Sequence, residues 1–236
     1  MKRILRVWIV RRLLRAYRER RYRWDSNARI ARDGFDRQHG TDTTRIVQTK
    51  DRSGRPVNWY ETASATAIAA AIDAIGIEPA SYTFMDLGCG KGKPLLIAAN
   101  RPFRRLIGVD VDPSCLAIAK RNTEICGLSD RVELVAADVT ELDIPSGPLL
   151  IYLYNPFPGH VLRIVLQRVA TRLATASDPI ALIYMHPRCI ELVEESGLFR
   201  RVFDFPGAVS QYERAVGFVS ACSGRKSVGM RPGARE

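Results

Sequence analysis

The stretch MDLGCGKG, residues 85–92, places three glycines at every second position after an aspartate. The apolar segment YTFMDL before the glycines predicts a buried strand, and KPLLIAANR after them predicts a helix. Glycine adopts positive φ without strain and lets a backbone approach a ligand closely. The spacing is neither the G-x-G-x-x-G of pyrophosphate binders nor a P-loop. We therefore predict that Gly88, Gly90 and Gly92 shape a cofactor-binding loop.

Acidic residues end this strand and the next two predicted strands, RLIGVD and VELVAAD. Asp86 precedes the glycines, and Asp110 and Asp138 end the two strands. Asp110 can accept both ribose hydroxyls of an adenosine. Asp138 is placed to accept from an adenine amino group, or is a turn residue ahead of Thr140. Three acids suit an adenosine that carries a positive centre and no phosphate, which favours S-adenosylmethionine over NAD.

The segment YNPFPGH, residues 154–160, follows the apolar strand LLIYLY. Methyl transfer needs the acceptor lone pair in line with the S–CH₃ bond, so positioning supplies most of the catalysis. Asn155 can orient an amino group by accepting its N–H bonds, and Phe157 can form an aromatic wall over a cationic group. The alternative interpretation is a turn that ends the strand. His160 and His186 could act as bases, although structural or capping roles are favoured for both.

A regular alternation of apolar strands and amphipathic helices over residues 61–221 positions these groups. Such strands predict an α/β, doubly wound, mainly parallel sheet covered on both faces. The last two strands, FRRVFDF and RAVGFVS, are joined by a loop too short for a crossover helix, which predicts antiparallel pairing. Residues 25–60 predict irregular structure and short helices, and residues 222–236 predict a flexible tail.

The net charge of +11 is concentrated at the N-terminus. Residues 1–24 contain ten Lys and Arg against one Glu, which is +9 of the +11. Leu5, Trp8 and Ile9 form part of an apolar side, so the segment predicts a basic amphipathic helical arm. Such an arm suits an RNA or ribosome surface, an anionic membrane surface, or packing on the enzyme itself.

The cysteine content favours a reducing compartment. Five cysteines, an odd number without a C-x-x-C pair, disfavour a disulfide framework or a metal cluster. No apolar run approaches the roughly 20 residues of a membrane span. We expect a cytoplasmic location, with peripheral membrane attachment or an organellar transit peptide as open alternatives. No metal ligand is predicted.

The residues DLGCGKG, GVDVDP, AAD and YNPF resemble class I S-adenosylmethionine-dependent methyltransferases over about residues 56–221. The stretches GFD and GTDT within 34–43, Lys91 of the glycine loop and YLYNPF look similar to certain bacterial methyltransferases. Those proteins are related to the non-SET lysine methyltransferases of the disruptor-of-telomeric-silencing type.

This resemblance implies a Rossmann-like, seven-stranded sheet with a reversed last strand and a cofactor across the carboxyl ends of the first strands. It also implies that NWYET, residues 58–62, closes over the methionine end of the cofactor, with Tyr60 and Glu61 as candidates. The alternative for Tyr60 is packing at a helix entry. The sequence thus predicts methyl transfer to an amine, with a protein lysine favoured. A nucleic-acid N-methyltransferase and a non-catalytic cofactor-binding adaptor are the alternatives.

Overall fold

The computed structural model describes residues 33–51, 53–206 and 213–221, and before them Tyr17, Arg20 and Ala28 as single positions. The predicted tail, and all of the basic arm except two of these positions, lie outside the described residues. The predictions for them stay predictions.

Strands and helices alternate along most of the described chain. The strands are β1 (Val47–Lys50), β2 (Pro56–Tyr60), β3 (Thr83–Leu87), β4 (Arg105–Asp110), β5 (Val132–Ala136), β6 (Leu149–Tyr154), β7 (Ile180–Met185), β8 (Phe199–Phe205) and β9 (Ala215–Ser220). The helices are α1 (Phe35–His39), α2 (Ala65–Ala74), α3 (Lys93–Ala98), α4 (Pro113–Ile125), α5 (Gly159–Thr175) and α6 (Ile190–Glu195), with a 3₁₀ turn at Pro79–Ser81.

The main sheet has seven strands in the order β5-β4-β3-β6-β7-β9-β8. The strands from β3 to β7 pair in parallel, whereas β9 runs antiparallel to both β7 and β8. The predicted α/β sheet, its antiparallel final pair and its reversed last strand are therefore confirmed. Because β6 lies directly beside β3, the exit of LLIYLY is adjacent to the glycine loop.

Helices cover both faces of the sheet because successive strand residues point to opposite sides. Phe84 packs in one apolar cluster with Ile68 of α2, and Met85 packs in the other with Leu162 of α5. Local sequence sets the helix entries: the Asp112 side chain accepts from the first backbone amides of α4 and acts as its N-cap. The carboxyl ends of the parallel strands therefore lie at one edge of the sheet.

Residues 33–51 and 53–60, the described part of this segment, contain more regular structure than the sequence predicted. The short helix α1 agrees with the expectation, but β1 and β2 form an antiparallel hairpin, with Val47 opposite Tyr60, that the sequence did not predict. The two strands are short and polar, and residues distant in sequence stabilise them. The Lys50 amide donates to Asp112 Oδ2 at 2.8 Å, which attaches the hairpin to α4.

Two fully buried lysines join the glycine loop to the segment before the hairpin. Lys91 Nζ lies 2.8 Å from Asp42 Oδ1, and Lys93 Nζ lies 2.6 Å from Asp33 Oδ2. Burial acts to raise the pKa of Asp33, but hydrogen bonds from Lys93 and from two backbone amides outweigh it and lower that pKa. Both lysine charges are therefore paired with carboxylates of the segment before the hairpin.

No helix within the described ranges is both long and apolar enough to cross a membrane. The same residues contain no group of three or more His, Cys, Asp and Glu side chains placed to hold a metal ion.

We predict that Asp33→Asn lowers the free energy of unfolding by about 3–5 kcal/mol, because it leaves the buried Lys93 ammonium without a counter-ion. The loss is measured by urea unfolding at neutral pH. The lowered pKa of Asp33 means that its stabilisation is present above the unfolded value of about 3.9 and is lost as the pH falls through the folded value.

The matched control is Asp73→Asn. Asp73 pairs with Arg101 at 2.6 Å, but its side chain is 66% exposed, so its loss costs less than about 1 kcal/mol. Equal losses in the two variants would contradict the role given to the buried pair.

Candidate active site

A cleft of about 620 Å³ opens at the carboxyl ends of the parallel strands. Seven of the nine site residues predicted from the sequence line it: Tyr60, Gly88, Gly90, Asp110, Asp138, Asn155 and Phe157. The other two do not line it. Asp86 is buried beneath the loop with 2% exposure, and Gly92 is the N-cap of α3. Residues distant in sequence thus meet in one cavity.

The glycine loop is shaped by contacts within the protein as well as by backbone freedom. Gly88 and Gly90 have φ of 81° and 51°. A Cβ at Gly88 would lie 2.3 Å from Pro156 Cβ, and one at Gly90 would lie 2.1 Å from Tyr60 Cδ2. Only glycine therefore allows the loop to touch both the β6 exit and the hairpin.

Asp110 supports the loop from the end of β4. Its Oδ2 accepts from the Gly90 amide at 2.7 Å, and its Oδ1 accepts from the Asp112 amide at 2.9 Å. Burial is the largest influence and raises its pKa, although these hydrogen bonds act to lower it. Each carboxylate oxygen has a second lone pair. Asp110 can therefore hold the loop and still accept from ligand hydroxyl groups.

Asp138 has the contacts of a turn residue and also a position that allows a ligand contact. It is exposed at the end of the β5 segment, and its Oδ1 accepts from the Thr140 amide at 2.8 Å and from the Thr140 hydroxyl at 2.7 Å. This is the geometry of a turn residue. The same side chain lines the cleft, so a role toward a ligand stays a prediction.

Asp86 is a buried carboxyl group with an unsatisfied oxygen. Within the described part of the chain, its Oδ2 has no hydrogen-bond partner, and neither has the hydroxyl of Tyr152, its neighbour in register on β6. Burial first, and the charge of Asp110 second, raise the pKa of Asp86 well above its usual value. A cationic ligand nearby would favour the ionised form of such an acid. This orphaned carboxyl group therefore fits a ligand with a positive centre and disfavours a phosphate.

Tyr60 connects the hairpin to the loop. Its hydroxyl donates to the Thr43 carbonyl at 2.8 Å, and Lys91 Nζ lies 5.6 Å from its ring centroid. Its ring packs on Gly90, and it also lines the cleft. The packing role and the ligand-facing position are thus combined in one side chain.

The exit of β6 is held in an uncommon backbone conformation. Asn155 has φ of 41°, in the left-handed region, and its Oδ1 accepts from the Tyr184 hydroxyl at 3.2 Å. Such a conformation in a residue other than glycine costs energy and is often found at functional sites. Phe157, half-buried on the next turn of chain, adds an aromatic wall.

The two histidines differ in position. His160 lies in the first turn of α5, is exposed and lines the cleft. His186 is not among the residues that line it. The His186 amide donates to the Arg214 carbonyl at 2.8 Å, and its ring lies edge-on to Tyr154 with a centroid distance of 5.9 Å. The structural role favoured for His186 fits these contacts.

Several cleft residues were missed by the sequence analysis. Thr49, Asp51 and Trp59 come from the unpredicted hairpin, and Arg188 and Cys189 follow β7. The segment NWYET was singled out with Tyr60 and Glu61 as its candidates, and Trp59 was not named. The position of PRC directly after a parallel strand was a usable signal, because strand carboxyl ends share one edge.

The family of proteins described as "Methyltransferase domain" matches residues 84–179. The ribosomal protein L11 methyltransferase of Alteromonas mediterranea is 39% identical over 83 residues, which cover 32% of this chain and 28% of that protein. The rRNA N(6)-adenosine-methyltransferase metl-5 of Caenorhabditis elegans is 36% identical over 87 residues, covering 36% and 40%. The matches span less than half the length of these curated relatives.

Solved structures show the same fold. The mitomycin 7-O-methyltransferase MmcR gives a TM-score of 0.50 at 19% identity, covering 67% of this chain and 54% of that one. The ribosomal protein L11 methylase of Lactobacillus delbrueckii subsp. bulgaricus gives 0.50 at 14% identity, covering 69% and 80%.

Residues 84–179 are therefore similar to a methyltransferase domain, and the sheet has the fold of the solved methyltransferases. The quoted relatives act on a ribosomal protein and on rRNA. The narrower resemblance to non-SET lysine methyltransferases stays a prediction.

We predict that Gly90→Ala weakens S-adenosylmethionine binding at least tenfold, because the new Cβ displaces the Tyr60 ring from the loop. The affinity is measured by calorimetry. Gly127→Ala is the matched control, since Gly127 also has a positive φ, 65°, but nothing lies within 4 Å of its Cβ position. A similar loss of affinity in both variants would show that steric contact with Tyr60 is not the cause.

Proposed function

We propose that this protein is a methyltransferase that transfers the methyl group of S-adenosylmethionine to an amine of a macromolecule, with a protein lysine as the favoured acceptor. The observation that carries the proposal is the contact between Gly88 and Pro156. It joins the cofactor loop to the strand exit that bears Asn155, so both sides of a transfer reaction share one cleft.

The cofactor side is formed by the ends of β3, β4 and β5. When bound, S-adenosylmethionine supplies an electrophilic methyl group on a positively charged sulfonium. The backbone of Gly88 and Gly90 would hold it. Asp110 would accept hydrogen bonds from the ribose hydroxyls, and Asp138 would accept one from the adenine amino group. The unsatisfied carboxyl group of Asp86 would complement its positive charge.

The acceptor side is formed by the exit of β6. The Asn155 Oδ1 already accepts from Tyr184, and a carbonyl oxygen has a second lone pair for an acceptor N–H. Phe157 can pack against the methylated ammonium, a contact worth on the order of 1 kcal/mol. These two residues would orient the nitrogen, and orientation is the main requirement of this reaction.

The charge of the cleft favours a cationic acceptor. Asp51, Asp110 and Asp138 line it, against Arg188 as the basic group among the lining residues. Acidic walls attract an ammonium and repel phosphates. This distribution supports a lysine side chain over a nucleic-acid backbone in the cleft itself.

A nucleic-acid amine is the second candidate. The basic residues 1–24 suit phosphate contacts outside the cleft, and the name of the Caenorhabditis elegans relative specifies an amino nitrogen of adenosine in rRNA. The arm would then bring RNA or a ribosome surface to the enzyme.

We expect that a cell lysate incubated with tritiated S-adenosylmethionine and the wild-type protein gives a labelled protein band. Asn155→Gly should lower the initial rate of labelling on the order of 100-fold, because the acceptor nitrogen loses its orientation. Glycine is chosen because it keeps the left-handed backbone while it removes the side chain.

Calorimetry with S-adenosylmethionine serves as the control, and the affinity of Asn155→Gly should equal that of the wild type. Labelled RNA or DNA would favour the second candidate. Cofactor binding without any label would instead favour a non-catalytic adaptor and contradict the proposed function.

A further inference from the structure

The geometry points to Glu61 as the carboxylate that removes a proton from the acceptor amine, an inference that rests on the proposed function. A lysine side chain in water has a pKa near 10.4 and is mostly an ammonium at neutral pH. An ammonium has no lone pair for attack on a methyl group. The site therefore needs a group that accepts a proton before transfer.

Glu61 has an oxygen in position for this task. It follows β2 directly and lines the cleft. Its Oε1 is buried and has no hydrogen-bond partner among the described residues. Leaving a buried acceptor unsatisfied is energetically unfavourable. An N–H donor of a ligand would remove that cost.

The charged residue that acts on Glu61 lies on the same side of the sheet as the proposed acceptor site at the β6 exit. The charged group that acts on Glu61 is Arg188, which follows β7, whereas the one that acts on Asp86 is Asp110, at the end of β4. In the sheet order, β6 and β7 lie on the opposite side of β3 from β4 and β5. Glu61 thus interacts electrostatically with a residue on the same side of β3 as Asn155.

The ionisation of Glu61 suits a base. Burial raises its pKa to about 8, with Arg188 acting to lower it. Besides Glu61 and two tyrosines, the titratable and charged side chains lining the cleft are Asp51, Asp110, Asp138, His160, Arg188 and Cys189. An ammonium that enters the cleft would favour ionised Glu61 further, since opposite charges stabilise each other.

Proton removal from the acceptor ammonium precedes methyl transfer. The Glu61 carboxylate forms an O–H bond as one N–H bond of the ammonium breaks, and the electron pair of that bond stays on nitrogen. The nitrogen lone pair forms the N–CH₃ bond while the S–CH₃ bond breaks and its electron pair stays on sulfur. Glu61 then releases its proton to water, and the product leaves as a methylammonium.

The pH dependence of the labelling rate distinguishes this role from a structural one. With Glu61 as base, the wild-type rate rises through a pKa at or below about 8 and is then level toward pH 10. In Glu61→Gln, the rate rises tenfold for each pH unit up to the pKa of the amine, about 10.4. The variant is therefore slower on the order of 100-fold at pH 8, and the difference shrinks toward pH 10.

The experiment measures tritium transfer to the lysate protein from pH 6 to pH 10 for wild type, Glu61→Gln and the control Glu195→Gln, an exposed acid at the end of α6. Calorimetry gives the S-adenosylmethionine affinity, which should agree within about twofold. Carbon-13 NMR of labelled glutamate carboxyls adds a readout without turnover. One signal, absent in Glu61→Gln, should titrate near pH 8, and butylammonium should lower its midpoint.

Two results would overturn the inference alone: a Glu61→Gln profile parallel to the wild type, or a loss of cofactor affinity of tenfold or more. The second would assign Glu61 to the cofactor. Label in a nucleic acid instead of a protein also overturns it, because the acceptor is then not an ammonium. Wild-type protein that binds the cofactor but transfers no label overturns the proposed function and this inference together.

Discussion

The contact of the glycine loop with its two neighbours is the constraint on which the cleft depends. Gly88 touches Pro156 at the β6 exit, and Gly90 touches Tyr60 at the end of the hairpin, at distances that leave no room for a Cβ. Asp110 completes the arrangement by accepting from the Gly90 amide. The loop therefore fixes three elements at once, and the two sides of the cleft keep their relation because both touch the same backbone.

The charges of the site are divided in a way that favours a cation. Lys91 and Lys93 are fully buried in or beside the loop, but each is paired with a carboxylate of the segment before the hairpin. The acids Asp86 and Glu61 each have a buried oxygen without a hydrogen-bond partner in the ranges that the structure describes. Since an unpaired buried acid is costly when ionised and a lysine with a counter-ion is less so, a positive ligand stabilises the site more than an anion does.

Much of the fold was accessible from the sequence because it depends on local patterns. Apolar strands that alternate with amphipathic helices predicted the sheet, and the spacing of the glycines and Asp110 predicted the cofactor edge. The hairpin was missed because its support, such as the bond from Lys50 to Asp112, comes from residues distant in sequence. The contact of Gly90 with Tyr60 is non-local as well, so the prediction explained this glycine by ligand binding and missed its role in packing.

Residues 34–43, which contain the GFD and GTDT stretches similar to the relatives of the non-SET lysine methyltransferases, have a structural role. The Asp36 carboxylate accepts from the amides of Thr43 and Thr44, which holds the GTDT stretch in place. Thr43 then offers its carbonyl to the Tyr60 hydroxyl, and Asp42 pairs with Lys91. The motif thus supports the cofactor loop and does not line the cleft. It is therefore not placed to select an acceptor by contact, and the proposed preference for an amine rests on the acids and the β6 exit that line the cleft.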